Sequence, residues 1–439
     1  MISPESGRLR VQGIRNKELV ERARQVIPNG MYGHESVALL PEGFPQFFSR
    51  ASGARIWDAD NNEYLDFLCA YGPNLLGYRN ESVEAAAARQ AELGDTMTGP
   101  SEIMVTLAEN IVGMVDHAQW AMFCKNGSDA TSMAMVTARA YSGKRKILVA
   151  RGAYHGASPW CTPNPSGIVA EDRAHVIPFD YNDLDSLAEA VKAADGDVAG
   201  IFATPFRHES FIGQTEPDLD YAQGVRRICD EIDALLIVDE VRAGFRLARD
   251  CTWSLLGVRP DLSCWGKVLG NGHPISALLG AEKARRAAGG IYVTGSFWFS
   301  AVPMAAAIET LRQVRETDYL ERIAARATQF RDGIAAQAVA HGFEVDQTGP
   351  AQMPQILFRG DPELKLGFSW VEAVLRRGAY LHPWHNMFIN AAMTAQDIDD
   401  ALLATDGAFE ELAKNRHQLP AQRNPGVLAR MSRISQKAA

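Results

Sequence analysis

An α/β fold, with a large domain built on a mostly parallel seven-stranded sheet, is the architecture this sequence predicts. Three observations point to it. Between residues 67 and 308, seven short apolar runs recur: WAMFC, KILVA, AHVIPF, AGIFAT, ALLIVDE, LSCWGK and SALLGA. Amphipathic helical patterns such as Leu184–Ala193 and Tyr221–Ile232 fall between several of them. Near-continuous apolar strands alternating with helices are the mark of a sheet covered on both faces, which is how parallel strands occur.

The flanks read differently. Residues 1–66 hold a helical stretch from Lys17 to Val26, a Gly/Pro-rich segment and a hairpin. In that hairpin ARIWDAD and NEYLDF alternate apolar with polar residues around a turn at Asp60–Asn61–Asn62. Residues 309–439 carry a long helix through Glu309–Val314, strand-like QILF, a helix around Trp370–Arg377 and a charged helical tail. The expected organisation is a large α/β domain over 67–308 and a smaller α+β domain formed by both chain ends, 1–66 and 309–439.

Composition narrows the function. A chain of 439 residues that is 46% hydrophobic and 22% charged is ordinary for a soluble globular protein. A net charge of −9 argues against a nucleic-acid partner, which wants a basic stripe. The nearest basic cluster, Lys144–Arg145–Lys146, reads as a solvated helix end. The six cysteines (Cys69, Cys124, Cys161, Cys229, Cys251, Cys264) form no C-x-x-C pair and no zinc-spaced group with histidine, so no metal is expected and the thiols read as free. The N-terminal MISPESGRLRVQGIRNKEL lacks the apolar stretch of a signal peptide, and no run approaches membrane-spanning length. A cytoplasmic protein without a membrane partner is the expectation.

Four local signals fall on the central layer. Cys124–Lys125–Asn126–Gly127–Ser128–Asp129–Ala130 follows WAMFC and opens a helix. Gly127 permits a tight turn and Ser128 suits an N-cap, so the free N–H groups there are able to cradle a phosphate. Such turns more often merely cap a helix, and neither a P-loop nor G-x-G-x-x-G is present. Tyr154–His155–Gly156 follows KILVA, where an aromatic ring is able to lie on a planar cofactor; in isolation a plain loop is the better reading. Asp239 ends a buried apolar strand, the place where open α/β sheets set ligand groups, although a pairing with Arg242 or Arg246 would also explain it. Lys267 follows LSCWG ahead of a Gly-rich turn; a desolvated lysine of lowered pKa is the usual Schiff-base nucleophile, against the plainer reading of a lysine reaching solvent. Together they supply a phosphate cup, a ring stack, an acid for a pyridine nitrogen and an imine lysine, the four needs of pyridoxal 5′-phosphate (PLP).

On these residues the sequence resembles the class-III aminotransferases of PLP fold type I over nearly its whole length. The family's S-G-S-E-A is similar to Asn126–Gly127–Ser128–Asp129–Ala130, its Y-H-G to Tyr154–His155–Gly156, and its D-E-V-x-x-G-F-R to Asp239 through Arg246. Its imine lysine, in G-K-x-x-x-x-G-x-P, matches Lys267. IPNG, AYGPNLLGY and TGSFWFSAVPMAAA resemble the glutamate-1-semialdehyde aminomutase branch, in which Ser296 takes the place of a threonine that contacts phosphate from the neighbouring subunit. MYGHES, CAYGPNLLGY, TGPSEIM and TGSFWFS are similar to bacterial aminotransferases that deaminate the aminopolyol core of hydrolysed fumonisin.

The resemblance implies a ping-pong transfer of an amino group from a primary amine to a keto acid such as pyruvate, in a homodimer with shared active sites. Lys267 would hold PLP as an imine and shuttle the proton, Asp239 would keep the pyridine nitrogen protonated, and Tyr154 and Val241 would sandwich the ring. Gly127, Ser128, His155 and Ser296 complete the implied cofactor site. Two departures bear on the substrate. Ser36 stands where the aminomutases have an arginine for the substrate carboxylate, and Ala203–Thr204–Pro205–Phe206–Arg207–His208 stands where the family often has E-P. A bulky or long-chain amine without a neighbouring carboxylate is therefore the expected donor, with Ser36, Tyr71, Arg207 and Trp384 as candidate substrate residues. Phe297, Trp298 and Phe299 are further candidate aromatic walls. Arg207, or second to it Arg242, would meet the keto acid. The rival readings are an aminomutase or decarboxylase, a β-amino acid aminotransferase, and a non-catalytic binding protein of the same fold.

Overall fold

The computed structural model of the chain describes residues 13–438. The opening residues of the segment read for a signal peptide, 1–12, lie outside the described residues. Among the described residues no helix is long and apolar enough to cross a membrane.

Each of the seven apolar runs is a strand of one sheet: β1 (Trp120–Cys124), β2 (Lys146–Ala150), β3 (Val176–Phe179), β4 (Val198–Ala203), β5 (Leu235–Asp239), β6 (Leu262–Trp265) and β7 (Ser276–Gly280). Their order across the sheet is β1-β7-β6-β5-β4-β2-β3. All neighbours pair in parallel except β7, which runs antiparallel to both β6 and β1. Every residue of β4, β5, β6 and β7 is buried, because helices cover both faces. Their uninterrupted apolar spelling is the cause.

Helices Leu184–Ala194 and Leu219–Glu231 occupy the two amphipathic stretches, each burying one stripe. The basic cluster is not a helix end. Lys146 opens β2 and Arg145 pairs with Asp197 at 2.8 Å, because Gly143, in the left-handed region, has already closed the preceding helix.

The hairpin forms as Arg55–Asp58 against Glu63–Asp66, with Asn61 in the left-handed conformation the turn needs. Two strands not foreseen, Phe48–Ser52 and Ala379–Tyr380, extend it to a four-stranded sheet. Helices Ala301–Glu316, Tyr319–Ala340, Lys365–Arg376 and Ala395–Asn415 follow. All six cysteines are free.

Candidate active site

Parallel strands deliver their carboxyl ends, and the loops that follow, to one edge of the sheet. β1, β2, β4, β5 and β6 share that edge, and β7 starts there because Ser276 pairs with Cys124. After β1 the chain turns into helix Gly127–Ser142. Asn126, and not Ser128, is the N-cap: its carbonyl accepts from the N–H groups of Asp129 and Ala130, and its own N–H donates to Asp129 Oδ2 at 2.9 Å. Among the described residues the N–H groups of Gly127 and Ser128 donate to no protein acceptor, so they stand as orphan donors of a first helical turn.

The loop after β2 is clamped to that turn. Ser128 Oγ accepts the Ala157 N–H at 3.0 Å, and Thr131 Oγ1 donates to the His155 carbonyl at 2.8 Å. Gly156 has φ 118°, and a Cβ there would lie 2.4 Å from Ser128 Oγ, so only glycine fits. His155 is thereby aimed at the end of β5. Its Nδ1 lies 2.8 Å from Asp239 Oδ2, both side chains being almost wholly buried. The other Asp239 oxygen accepts the Val241 N–H at 3.1 Å. Val241 is itself wedged under Gly127, where a Cβ would meet it at 2.6 Å.

Lys267 stands just past β6 with φ 42°, a costly conformation for a residue with a side chain. Its Nζ donates to the Tyr71 carbonyl at 2.5 Å. That carbonyl is offered by an unusual run: Cys69, Ala70, Tyr71 and Gly72 all have positive φ. Three non-glycine residues in a row carry real strain. Buried Asp66 anchors the run by accepting the N–H groups of Leu68 (2.8 Å) and Cys69 (3.0 Å), and the Arg246 guanidinium binds the Gly72 carbonyl. Burial first, then the charges of Arg242 and Arg246, push the Lys267 ammonium down to about 7. A sizeable share of the amine is therefore unprotonated near neutrality, the condition for a nucleophile or a proton carrier.

These groups face a cavity of about 610 Å³, within the usual range of ligand sites. Gly127, Ser128, Tyr154, His155, Asp239, Val241 and Lys267 all line it. The expected substrate residues do not. Ser36 caps a short turn, its Oγ accepting the Ala38 N–H at 3.3 Å. Arg207 turns to Thr215 Oγ1 at 3.2 Å, and Trp384 stacks on Phe211 at 4.3 Å. Tyr71 holds Lys267 Nζ through its carbonyl without lining the cavity, its hydroxyl being bound to the His34 carbonyl at 2.5 Å. Ser296 is exposed, and Phe297 beside it is 66% exposed.

Arg242 does line the cavity, held by the Asn386 side-chain Oδ1, which accepts from it, and by His385 Nε2 at 3.3 Å. His34 and His208 also line it and were not singled out from the sequence. His34 stands within MYGHES and His208 ends the run after β4, but neither spelling says that its ring turns into the cavity.

The model of the family described as aminotransferase class-III matches residues 41–349. The aminopentol aminotransferase of Sphingopyxis macrogoltabida is 63% identical over 403 residues, covering 92% of this chain and 96% of that protein. The 3-aminobutyryl-CoA aminotransferase of Cloacimonas acidaminovorans (strain Evry) is 33% identical over 406 residues, 91% of this chain and 98% of that protein. Among solved structures, the FumI protein of Sphingopyxis sp. MTA144 in its PLP internal aldimine form is similar with a TM-score of 0.93. It is 62% identical, and the match covers 93% of this chain and 99% of that one.

Proposed function

The chain belongs to the class-III aminotransferases and works with pyridoxal 5′-phosphate, and from that premise we propose that it takes the amino group from a bulky or long-chain primary amine lacking a neighbouring carboxylate. The acceptor is a keto acid, pyruvate in the first instance. One observation carries the choice of donor: Ser36, at the aligned arginine position, is spent on capping a turn and offers no cation to a carboxylate. The similarity to an aminotransferase named for aminopentol, an amine with hydroxyls, supports the same reading.

The residues fit the cofactor. Orphan N–H groups at Gly127 and Ser128 suit its phosphate, buried Asp239 its pyridine nitrogen, and the buried Lys267 amine its aldehyde. When bound there, PLP supplies an electron sink for the pair left by a broken C–H bond. His155 fixes the orientation of Asp239, so that the carboxylate stays turned to hold a proton on the pyridine nitrogen. Tyr154 and Val241, which line the cavity, would hold the ring between them. Lys267 moves the proton at Nζ, for which a value near 7 is well matched to neutral pH.

For the acceptor, Arg242 is favoured over Arg207, because it lines the cavity and Arg207 does not. We also assign the enzyme to the cytoplasm, as a homodimer in which Ser296 of a second copy completes the phosphate cup. The exposure of Tyr292 (92%) and Phe297 (66%) beside Ser296 supports a covered face there. A donor screen scored by alanine formed from pyruvate tests the function. Long-chain primary amines should outperform glutamate-1-semialdehyde and every β-amino acid; the reverse order overturns the reading.

A further inference from the structure

The loop after β4 brings into the cavity a histidine that neither cofactor anchoring nor proton transfer uses. His208 lines the cavity, and its Nε2 is buried with no hydrogen-bond partner. The Phe206 backbone acts on the ring in the sense of a carbonyl accepting from it, and with Nε2 unpartnered among the described residues this places the ring proton on Nδ1. Nε2 then presents a bare lone pair. Burial, followed by the charges of Arg242, Lys267 and His155, holds the ring well below its ordinary pKa, and His385 is a further neighbour. His208 is therefore neutral at working pH.

A buried acceptor without a donor is costly, and the protein provides none: Arg242 and Lys267 act on the ring through charge and not through a hydrogen bond. A carboxylate, a phosphate or a keto group has no hydrogen to give. An ammonium has, but it would meet two cations. A hydroxyl remains.

We infer that His208 Nε2 accepts a hydrogen bond from a hydroxyl of a molecule bound in this cavity. Two molecules carry one: the cofactor, with its ring hydroxyl, and a hydroxylated amine donor, the latter resting on the function proposed above. Holoenzyme and its His208→Phe and His208→Gln variants separate the two. In the first arm the visible absorbance of the bound cofactor is titrated with pH. A midpoint moved by about half a unit or more in His208→Phe, and restored towards wild type in His208→Gln, assigns the cofactor hydroxyl. In the second arm 2-aminooctan-3-ol and 2-aminooctane are compared as donors. A KM raised about tenfold for the first compound alone assigns the substrate hydroxyl. Variants that bind cofactor normally and change neither readout overturn the inference. Should wild type use neither amine, the donor reading falls and the absorbance arm decides for His208.

Discussion

At one part of the cavity Gly127, Ser128, His155, Asp239 and Lys267 stand within a few residues of strand ends or in the first turn of a helix. At another stand His34, from the N-terminal loop, and Arg242 and His208, which follow β5 and β4 as closely as the first set follows its strands; Arg242 is held by His385 and Asn386 of a distant loop. The first set is pinned by interlocking backbone: Gly156 against Ser128, Gly127 against Val241, Gly266 against Ser276. The second is pinned by side chains, as where Arg242 meets Asn386 and His385. The groups that fit the cofactor are held by rigid backbone, and those proposed to meet the substrate by side-chain contacts that substitution easily re-forms.

Four experiments test how sharp that division is. Lys267→Ala should have the largest effect, lowering turnover roughly 10⁴-fold or more and abolishing borohydride fixation of the cofactor to that peptide; fixation at another lysine breaks the assignment. Asp239→Asn comes next, with turnover down roughly 10²–10³-fold and much of the cofactor retained, since an amide no longer holds the ring proton. Near-normal rates there would dissolve the rigid half. Arg242→Gln should act mainly on the second half-reaction, raising the KM for pyruvate by about 10–100-fold, with an upward shift of the Lys267 pKa as its one effect on the first. Stopped-flow reduction of the cofactor by the amine should stay within about threefold of wild type; equal losses in both would erase the distinction. The smallest effect is one of pH. Lys267 must be unprotonated to capture the cofactor aldehyde, so association of PLP with the apoprotein should slow as pH falls through about 7, approaching tenfold per unit below it.

The same division set what the sequence made legible. The seven strands read correctly because burial on both faces leaves an apolar signature that needs no neighbours to interpret. Tyr154, Asp239 and Lys267 were legible because each sits next to such a strand. Ser128 as a cap was not, since Asn126 competes two residues earlier and its bond with Asp129 decides the helix start. Ala379–Tyr380 escaped notice because two residues carry no periodicity; they become a strand only by pairing with Glu63–Asp66. Arg207 and Trp384 stand away from the cavity lining for a different reason. An arginine and an aromatic ring suit a ligand and a loop interior equally well, and Thr215 and Phe211 claimed them. His208 was visible only as the end of the run that replaces E-P, because the spelling cannot show that its Nε2 is left without a partner among the described residues.

The antiparallel strand has a consequence for the growing chain. β1 leads into the turn with the orphan N–H groups, yet among the described residues its sole neighbour in the sheet is β7. Ser276 Oγ closes the seam by donating to the Lys125 carbonyl, 151 residues away in sequence. During synthesis β1 emerges long before anything exists to pair with it. Its edge must wait, unpaired and adhesive, until β7 has left the ribosome. Joining ends so far apart makes this pairing a slow one to form. A nascent chain stalled before Ser276 would therefore hold the strands for Tyr154, Asp239 and Lys267 without a cradle beside them. The capacity to retain cofactor should arise late and all at once, with the last strand.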